Sequence, residues 1–461
     1  MAIDVIVVGG GIAGLSCAWR LQSRGRGVLV LEEKARAGGN VRTEEAEGYR
    51  MEYGPHTFMA SARDIFTLAE ETGLGSEIVG TRPEADKRFI VRHGRLHAIP
   101  TGPWSVLTSR LLSFKGKLKL AREPFHTQRG DPSDTAQQFF ERRFGPEAAN
   151  VLAGAFISGV YAGDPGSLSA RAAFPLFWRF EQESGGMIRG AIRLSRERKA
   201  ERKARGEKGP GRKGLFSFRL GLGQLSAGVA AKLGDRMRTG SAVSSISREN
   251  GLFVARTESG EFRAPELVLA VPPVEAGGLL GTLDVELGNL LNSIPMAPMT
   301  VVHMGHAMRA AQVPDGFGFL APRGEGVRSL GVLFPSRLFE GRAFNGGDLL
   351  TGYIGGVLDP HALELDDNVL LDVVTGDLES LTGLAKRPDF VRIHRVERAI
   401  PQFTLGHMER METIHERLGR IPGLVLAGNY LNGVGLKDAV ASGFEAAERL
   451  GTGGRAERIS S

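Results

Sequence analysis

The amino-acid sequence predicts an α/β (α+β multidomain) fold organised around a parallel sheet, and three observations carry that prediction. A strand, a glycine-rich turn, a helix and a second strand follow one another within residues 2–43. Residues 424–450 repeat the order strand, glycine turn, helix. Between these ends lie a helical stretch, about residues 100–214, and a strand-rich stretch, about residues 280–410.

Ile3-Asp4-Val5-Ile6-Val7-Val8 reads as a strand buried on both faces, as at the centre of a parallel sheet. Gly9, Gly11 and Gly14 follow in the spacing G-x-G-x-x-G, and Leu15, Ala18, Trp19 and Leu21 mark a helix that ends near Gly25. A second strand, Val28-Leu29-Val30-Leu31, stops at Glu32. Gly9 permits the tight turn, Gly11 lets backbone approach a pyrophosphate, and Gly14 lets the helix pack closely on the strand. The pyrophosphate then lies at the positive helix end. Glu32, eighteen residues after Gly14, can accept hydrogen bonds from ribose hydroxyls. Together these parts predict a Rossmann-like dinucleotide-binding unit.

From Glu32 the chain runs E-E-K-A-R-A-G-G-N-V-R-T, with Arg36, Gly38, Gly39 and Arg42. This string resembles the E-x-x-x-R-x-G-G-x-x-x-(S/T) pattern of the flavin amine oxidase and protoporphyrinogen oxidase superfamily. The resemblance implies that the dinucleotide is FAD, with Arg36 near its phosphates and Gly38-Gly39 near the isoalloxazine edge. A guanidinium suits phosphate, and paired glycines let a flat ring lie against backbone. At the other end, Leu424-Val425-Leu426-Ala427 leads into Gly428-Asn429-Tyr430 and Gly433-Val434-Gly435-Leu436-Lys437-Asp438, then a helix. This resembles the superfamily's C-terminal flavin motif and implies that the backbone at Val434, Gly435 and Leu436 faces the flavin; a purely structural strand-turn-helix is the other reading. A third piece, near residues 221–272, implies by the same comparison that Val243 meets the adenine. No second complete glycine fingerprint occurs, so the flavin is expected to be reduced by the substrate and reoxidised by oxygen or another acceptor.

Several strings narrow the resemblance to oxygen-dependent protoporphyrinogen oxidase and its relative, coproporphyrinogen III oxidase. They are Glu52-Tyr53-Gly54-Pro55-His56-Thr57-Phe58, Lys87-Arg88-Phe89-Ile90-Val91, Ser158-Gly159-Val160-Tyr161-Ala162-Gly163-Asp164, Asp315-Gly316-Phe317-Gly318-Phe319-Leu320 and Ala399-Ile400-Pro401-Gln402-Phe403-Thr404-Leu405-Gly406-His407. The departures are small: His56 stands where an Asn is common, and residues 193–213 form a more basic insertion. A porphyrinogen is an apolar, flexible macrocycle with carboxylates on its rim, so it needs a wide apolar pocket and a cation. The resemblance implies that Arg88 supplies the cation, that Gly159 lies close to the macrocycle, and that Phe317 and Leu320 sandwich a pyrrole. On the residues alone, Arg88 can equally be a surface strand residue and Phe317 ordinary core.

The implied activity is six-electron oxidation of protoporphyrinogen IX to protoporphyrin IX in haem and porphyrin biosynthesis. Coproporphyrinogen III oxidation, a flavin amine oxidase or desaturase on the same fold, and a flavoprotein scaffold without turnover are the alternatives. No catalytic base is assigned. His93 and His97 flank a hairpin-like turn, His303 and His306 fall in a strand-like run, and neither pair has metal-ligand spacing with carboxylates. No G-x-S-x-G elbow is present.

The expected organisation is a discontinuous FAD-binding domain (residues 1–60, 215–275 and 415–455), a mixed-sheet substrate domain (61–99 and 280–410), a helical domain (100–214) and a loose tail (451–461). The helical domain mixes Leu107, Leu111, Leu112, Phe114 and Leu118 with Arg110, Lys115, Lys117 and Lys119, which suits either a pocket cover or a monotopic membrane contact. With 461 residues, 42% of them hydrophobic, the chain can bury a large core. It has a single cysteine, Cys17, so no internal disulfide forms, and the expected setting is cytoplasmic, peripheral at the membrane face, without leader or transmembrane helix. From Arg193 to Lys213 ten Lys/Arg face three Glu with no aromatic residue, which excludes nucleic acid and suits a solvated insertion or anionic headgroups. The expected partners are therefore a porphyrinogen, molecular oxygen, an anionic membrane surface and, for a homodimer, a second copy of the chain.

Overall fold

The computed structural model describes residues 2–204, 213–344 and 346–453. Residues 205–212 of the basic insertion and 454–461 of the expected tail lie outside the described residues. Strands β1 (Val5–Val8) and β2 (Val28–Leu31) flank helix α1 (Ile12–Ser23). With Met237–Arg238, Glu266–Leu269 and Leu424–Leu426 they form a five-stranded parallel sheet in the order 237–238, β2, β1, 266–269, 424–426. Val5, Val7, Val28 and Val30 point into one apolar core, and Ile6, Val8, Leu29 and Leu31 into the opposite one. Both faces are covered, which is why these strands are apolar at every position.

The first core is completed by α1, Arg63–Glu71, Gly223–Leu233 and the C-terminal helix Leu436–Gly453. The second is completed by an antiparallel meander over residues 243–264 and by the helices Pro273–Leu280, Val285–Asn292 and His407–Gly419. The domain limits read from sequence shift accordingly. Ile65, Phe66 and Leu68, expected in the substrate unit, lie in the first core; Leu287, Leu291 and Met411 lie in the second. Local periodicity says that these helices have an apolar face, but not which sheet will cover it.

The other large sheet has seven strands in the order Phe390–Pro401, Met296–His306, Asp348–Gly355, Gly331–Leu333, Gly318–Leu320, Arg88–Arg92, Arg95–Ala98. All its neighbours run antiparallel except Gly318–Leu320 with Arg88–Arg92, so the sheet is mixed. That parallel pair sets Gly318 beside Arg88 and Leu320 beside Ile90. The chain then enters a run of helices between Pro103 and Ala204. Their core holds Phe139, Phe140, Tyr161, Phe174 and Phe180, and is joined by Phe403 from the far end of the chain.

A buried ionic knot fixes the helical segment. The Arg143 side chain is fully buried and donates to Glu123 at 2.9 Å, to the Gly185 carbonyl at 2.9 Å and to the His126 carbonyl at 3.0 Å. The buried Glu181 carboxylate lies 3.6 Å from its Nε and 3.2 Å from Arg142. A charge this deep is tolerated only when it is paired and hydrogen-bonded. Arg143→Ala leaves Glu123 without its cation; it is expected to cost about 3–5 kcal/mol, read as a lowered thermal midpoint with loss of the helical segment first.

Candidate active site

The carboxyl ends of all five parallel strands meet at one edge, where a crevice for a ligand forms in such sheets. The turn after β1 is compressed to a degree that only glycine allows. A Cβ on Gly14 would stand 2.0 Å from the Gly9 carbonyl oxygen, and one on Gly9, whose φ is +103°, would stand 2.5 Å from the Ala270 oxygen. Gly11 is different: a Cβ there meets nothing within 4 Å. It faces open space at the start of α1, whose first turn has no side-chain cap and no acidic residue. An uncapped helix end beside a glycine with room in front of it is a seat for phosphate.

The rest of the cradle is built around this turn. Glu32, buried, accepts the Gly10 amide at 2.6 Å and the Lys34 amide at 2.9 Å, which holds its carboxylate at the end of β2. The Gly38-Gly39 loop lies directly on the turn: the Gly38 amide donates to the Gly10 carbonyl at 2.8 Å, and both glycines have positive φ. Arg36, exposed at the mouth of that loop, makes no ion pair among the described residues. The Ser241 amide donates to the Glu32 carbonyl at 2.8 Å, so the half-buried Val243 starts its strand close to the acidic end. At the C-terminal motif a Cβ on Gly443 would stand 2.2 Å from the Ala13 oxygen, so the last helix lies tightly along α1. Leu436 joins the core beneath α1, whereas Val434 packs on the helical segment. The Gly435 amide donates to the Asp438 carboxylate at 3.0 Å, so of the three backbone positions expected to face a flavin this one is already engaged. The donor set and the open space at Gly11 fit a dinucleotide.

The residues expected to bind substrate meet in two pairs, Arg88 with Phe317 and Gly159 with Leu320, and Phe317 and Leu320 pack into different apolar clusters. Arg88 has no carboxylate partner among the described residues, and its guanidinium lies 5.4 Å from the centre of the Phe317 ring. On the same strand pair a Cβ on Gly159 would stand 2.3 Å from Leu320 Cδ2, so the helix Gly154–Tyr161 is seated on Leu320. Gly159 therefore meets the expected site through Leu320. The motif strings interlock as well: Gln402 Nε2 donates to the Tyr161 carbonyl at 2.8 Å, and the Ser169 amide to the Phe403 carbonyl at 2.8 Å.

Two polar residues here were not legible as site residues. His56 Nε2 and the Tyr353 hydroxyl share a 2.7 Å hydrogen bond between the flavin-side loop and the mixed sheet. Gly54, two residues earlier, is pressed against Asn40, where a Cβ would stand 2.4 Å from the carbonyl oxygen. Burial pushes the His56 imidazole down to about 3 and raises the Tyr353 phenol, so both are neutral at ordinary pH. Glu52, from the same string, is buried and accepts the Leu222 amide at 2.8 Å and the Thr43 hydroxyl at 2.7 Å; burial raises its carboxyl to about 7. No spacing rule signals Tyr353, because its partner lies 297 residues away.

An open dinucleotide cradle joined to a substrate sheet that carries the unpaired Arg88 guanidinium beside Phe317 is the arrangement of a flavin-dependent oxidoreductase. The chain belongs to the flavin containing amine oxidoreductase family, whose model matches residues 12–451, and the family's cofactor is FAD. It is 33% identical to the chloroplastic protoporphyrinogen oxidase of Nicotiana tabacum, over 97% of this chain and 85% of that one. It is 25% identical to the coproporphyrinogen III oxidase of Bacillus subtilis, over 95% and 96% of the two chains. A crystal structure from Exiguobacterium sp. 255-15, provisionally named a protoporphyrinogen oxidase, superposes with a TM-score of 0.82 at 26% identity, covering 98% of this chain and 99% of that one.

The two glycines of the turn separate cofactor binding from folding. Gly11→Ala finds empty space in the protein, so thermal stability of the FAD-free form should be unchanged while FAD affinity falls at least about tenfold, or ~1.4 kcal/mol. Gly14→Ala collides with the Gly9 carbonyl and should lower both. Flavin absorbance per mole of protein and thermal melts of the two variants distinguish these outcomes.

Proposed function

We propose that this FAD-dependent oxidoreductase oxidises protoporphyrinogen IX to protoporphyrin IX with oxygen as the electron acceptor, in porphyrin biosynthesis. The observation that carries the reading is the unpaired Arg88 guanidinium over Phe317, beside the Gly159–Leu320 contact. One cation in an apolar wall is what an apolar macrocycle with carboxylate arms requires. The identity to the tobacco protoporphyrinogen oxidase over nearly the whole chain supports it.

Bound FAD supplies two-electron oxidation, and three such rounds account for the six electrons and six protons removed. Arg88 holds a substrate carboxylate, Phe317 and Leu320 flank a pyrrole, and Gly159 sets where Leu320 stands. Gly9, Gly11 and Gly14 seat the FAD pyrophosphate on α1, and Arg36 neutralises it. Glu32 receives the ribose, Val243 borders the adenine, and Gly38, Gly39, Val434, Gly435 and Leu436 border the flavin ring. The neutral His56–Tyr353 pair closes the space between cradle and sheet without adding a charge.

The helical segment supports peripheral association with an anionic membrane at its cytoplasmic face. Leu111 and Leu112 turn into the protein, whereas Trp104, Leu107, Phe114 and Phe125 are 77%, 62%, 82% and 79% exposed. Arg110, Lys115, Lys119 and Arg122 stand among them, the mixture of apolar anchors and cations that an anionic bilayer attracts. Among the described residues no helix is long and apolar enough to cross a membrane.

Anaerobic mixing of the FAD-loaded protein with protoporphyrinogen IX should bleach the flavin, and air should restore it. Bleaching with amines but with neither porphyrinogen overturns the reading. Arg88→Ala should raise KM roughly 10- to 100-fold, the 1.5–3 kcal/mol of a charge-assisted hydrogen bond, with kcat much less affected.

The protein should sediment with phosphatidylglycerol vesicles in low salt and less so in high salt. Replacing Trp104, Phe114 and Phe125 by Ser should abolish binding without reducing turnover in detergent. Recovery of the unmodified protein in the supernatant at low salt sinks the membrane reading.

A further inference from the structure

The loop that carries His56 touches both halves of the protein. On the nucleotide side Gly54 is pressed on Asn40, which follows the Gly38-Gly39 pair expected beside the flavin ring. On the other side His56 Nε2 meets the Tyr353 hydroxyl at 2.7 Å. Tyr353 belongs to the strand Asp348–Gly355 of the mixed sheet, and the register of that sheet connects it to Leu320. It pairs with Gly331, and Gly331 pairs with Leu320. Residues paired across neighbouring strands present their side chains to one face, so Tyr353 and Leu320 share a face with a glycine between them. A Cβ on Gly331 would stand 3.2 Å from Leu320 Cδ2, so Leu320 leans across that gap.

Other titratable groups at this seam are committed. His303 is fully buried, with Nδ1 3.0 Å from the Thr351 hydroxyl. Glu52 accepts the Leu222 amide with one oxygen and the Thr43 hydroxyl with the other. The His56–Tyr353 pair differs from both. Its phenol is half-buried, and the second ring nitrogen of His56 has no hydrogen-bond partner among the described residues. A neutral imidazole bonded to a phenol is a proton acceptor with a relay in front of it. Burial, His303 and Arg342 all disfavour the charged imidazole, so it holds a proton only while negative charge stands beside it.

Each round of the reaction takes a hydride and a proton from the substrate. The two electrons travel with the hydride to FAD, a pyrrole N–H bond breaks, and oxygen later takes the two electrons with two protons to give hydrogen peroxide. We propose that Tyr353 and His56 carry the pyrrole proton: the Tyr353 oxygen accepts it from the nitrogen while the phenol proton passes to His56 Nε2. The imidazolium keeps a proton while the electrons and their negative charge rest on FAD. It returns that proton through Tyr353 when oxygen removes the electrons. One hydrogen of the peroxide thus comes from the hydride and the other from the pyrrole nitrogen. The origin of the proton rests on the porphyrinogen reading; its holder rests on the geometry of the seam.

Proton counts with a pH indicator, in weakly buffered and oxygen-free solution, test the proposal on the FAD-loaded unmodified protein, Tyr353→Phe and His56→Asn. When light and EDTA reduce the flavin without substrate, the unmodified protein should take up about one proton per flavin more than His56→Asn. When protoporphyrinogen IX reduces it, the unmodified protein should release no net proton and each variant about one per flavin. Bleaching at saturating substrate should slow roughly 100-fold in both variants, as for a positioned acid–base group, with KM little changed. Equal counts for the unmodified protein and His56→Asn under both reductants overturn the assignment. A difference under light alone, with substrate oxidised at equal counts, overturns the pyrrole nitrogen as the source. A difference under light in a protein that protoporphyrinogen IX does not bleach overturns the substrate reading and keeps His56 as the proton holder. Unaltered flavin content in Tyr353→Phe, which keeps the ring, excludes misfolding as the cause of a slower rate.

Discussion

The distance at which α1 is laid against the first strand governs the rest of the protein. Backbone touches backbone at Gly14 and Gly9, and again at Gly443 and Ala13, with no space for a methyl group at either contact. The first contact aims the uncapped end of α1 at the crevice; the second draws the C-terminal helix alongside it. Dispersion and burial supply the energy, but the glycines set the geometry, because a single Cβ at either point would push a helix off its support. Gly11 is the exception that gives the cradle its purpose, since it has room in front of it.

Around that contact, distant strings are fastened by buried polar bonds. Gln402 holds the end of the helix bearing Gly159 through Tyr161, His56 reaches Tyr353 across the domain seam, and Glu52 takes the Leu222 amide. Burying a polar group costs free energy unless a partner is found, so each bond penalises any arrangement that breaks it. They specify the relative placement of the sheets more than they add stability. The seam histidines are held neutral: burial pushes both His56 and His303 down to about 3, so no counter-charge is needed there.

Many arginines serve the fold through carboxylate partners. Arg92, Arg142, Arg143, Arg328 and Arg337 all have carboxylates within 3.0 Å. Arg36, beside the Gly38-Gly39 loop, and Arg88, beside Phe317, are exposed and have none among the described residues. An exposed guanidinium without an internal partner is available to an external one.

Much of the nucleotide domain was legible because its chemistry is local. Strand, glycine spacing, helix and acid lie within forty-three residues, and hydrophobic periodicity with backbone sterics dictates their order. The parallel sheet, the turn and the position of Glu32 followed from that alone. What lay beyond was set by contacts at long range. Neither the docking of residues 63–71 and 285–292 on the nucleotide sheet nor the His56–Tyr353 bond has a signature in spacing. The same holds for Gly159: the sequence marks it as a glycine in a helix, and only the packed structure shows Leu320 filling the space of its missing side chain. Residue type determined which groups can bind phosphate or carboxylate; tertiary structure decided which of them were left without a partner, because pairing depends on what folds against each charge.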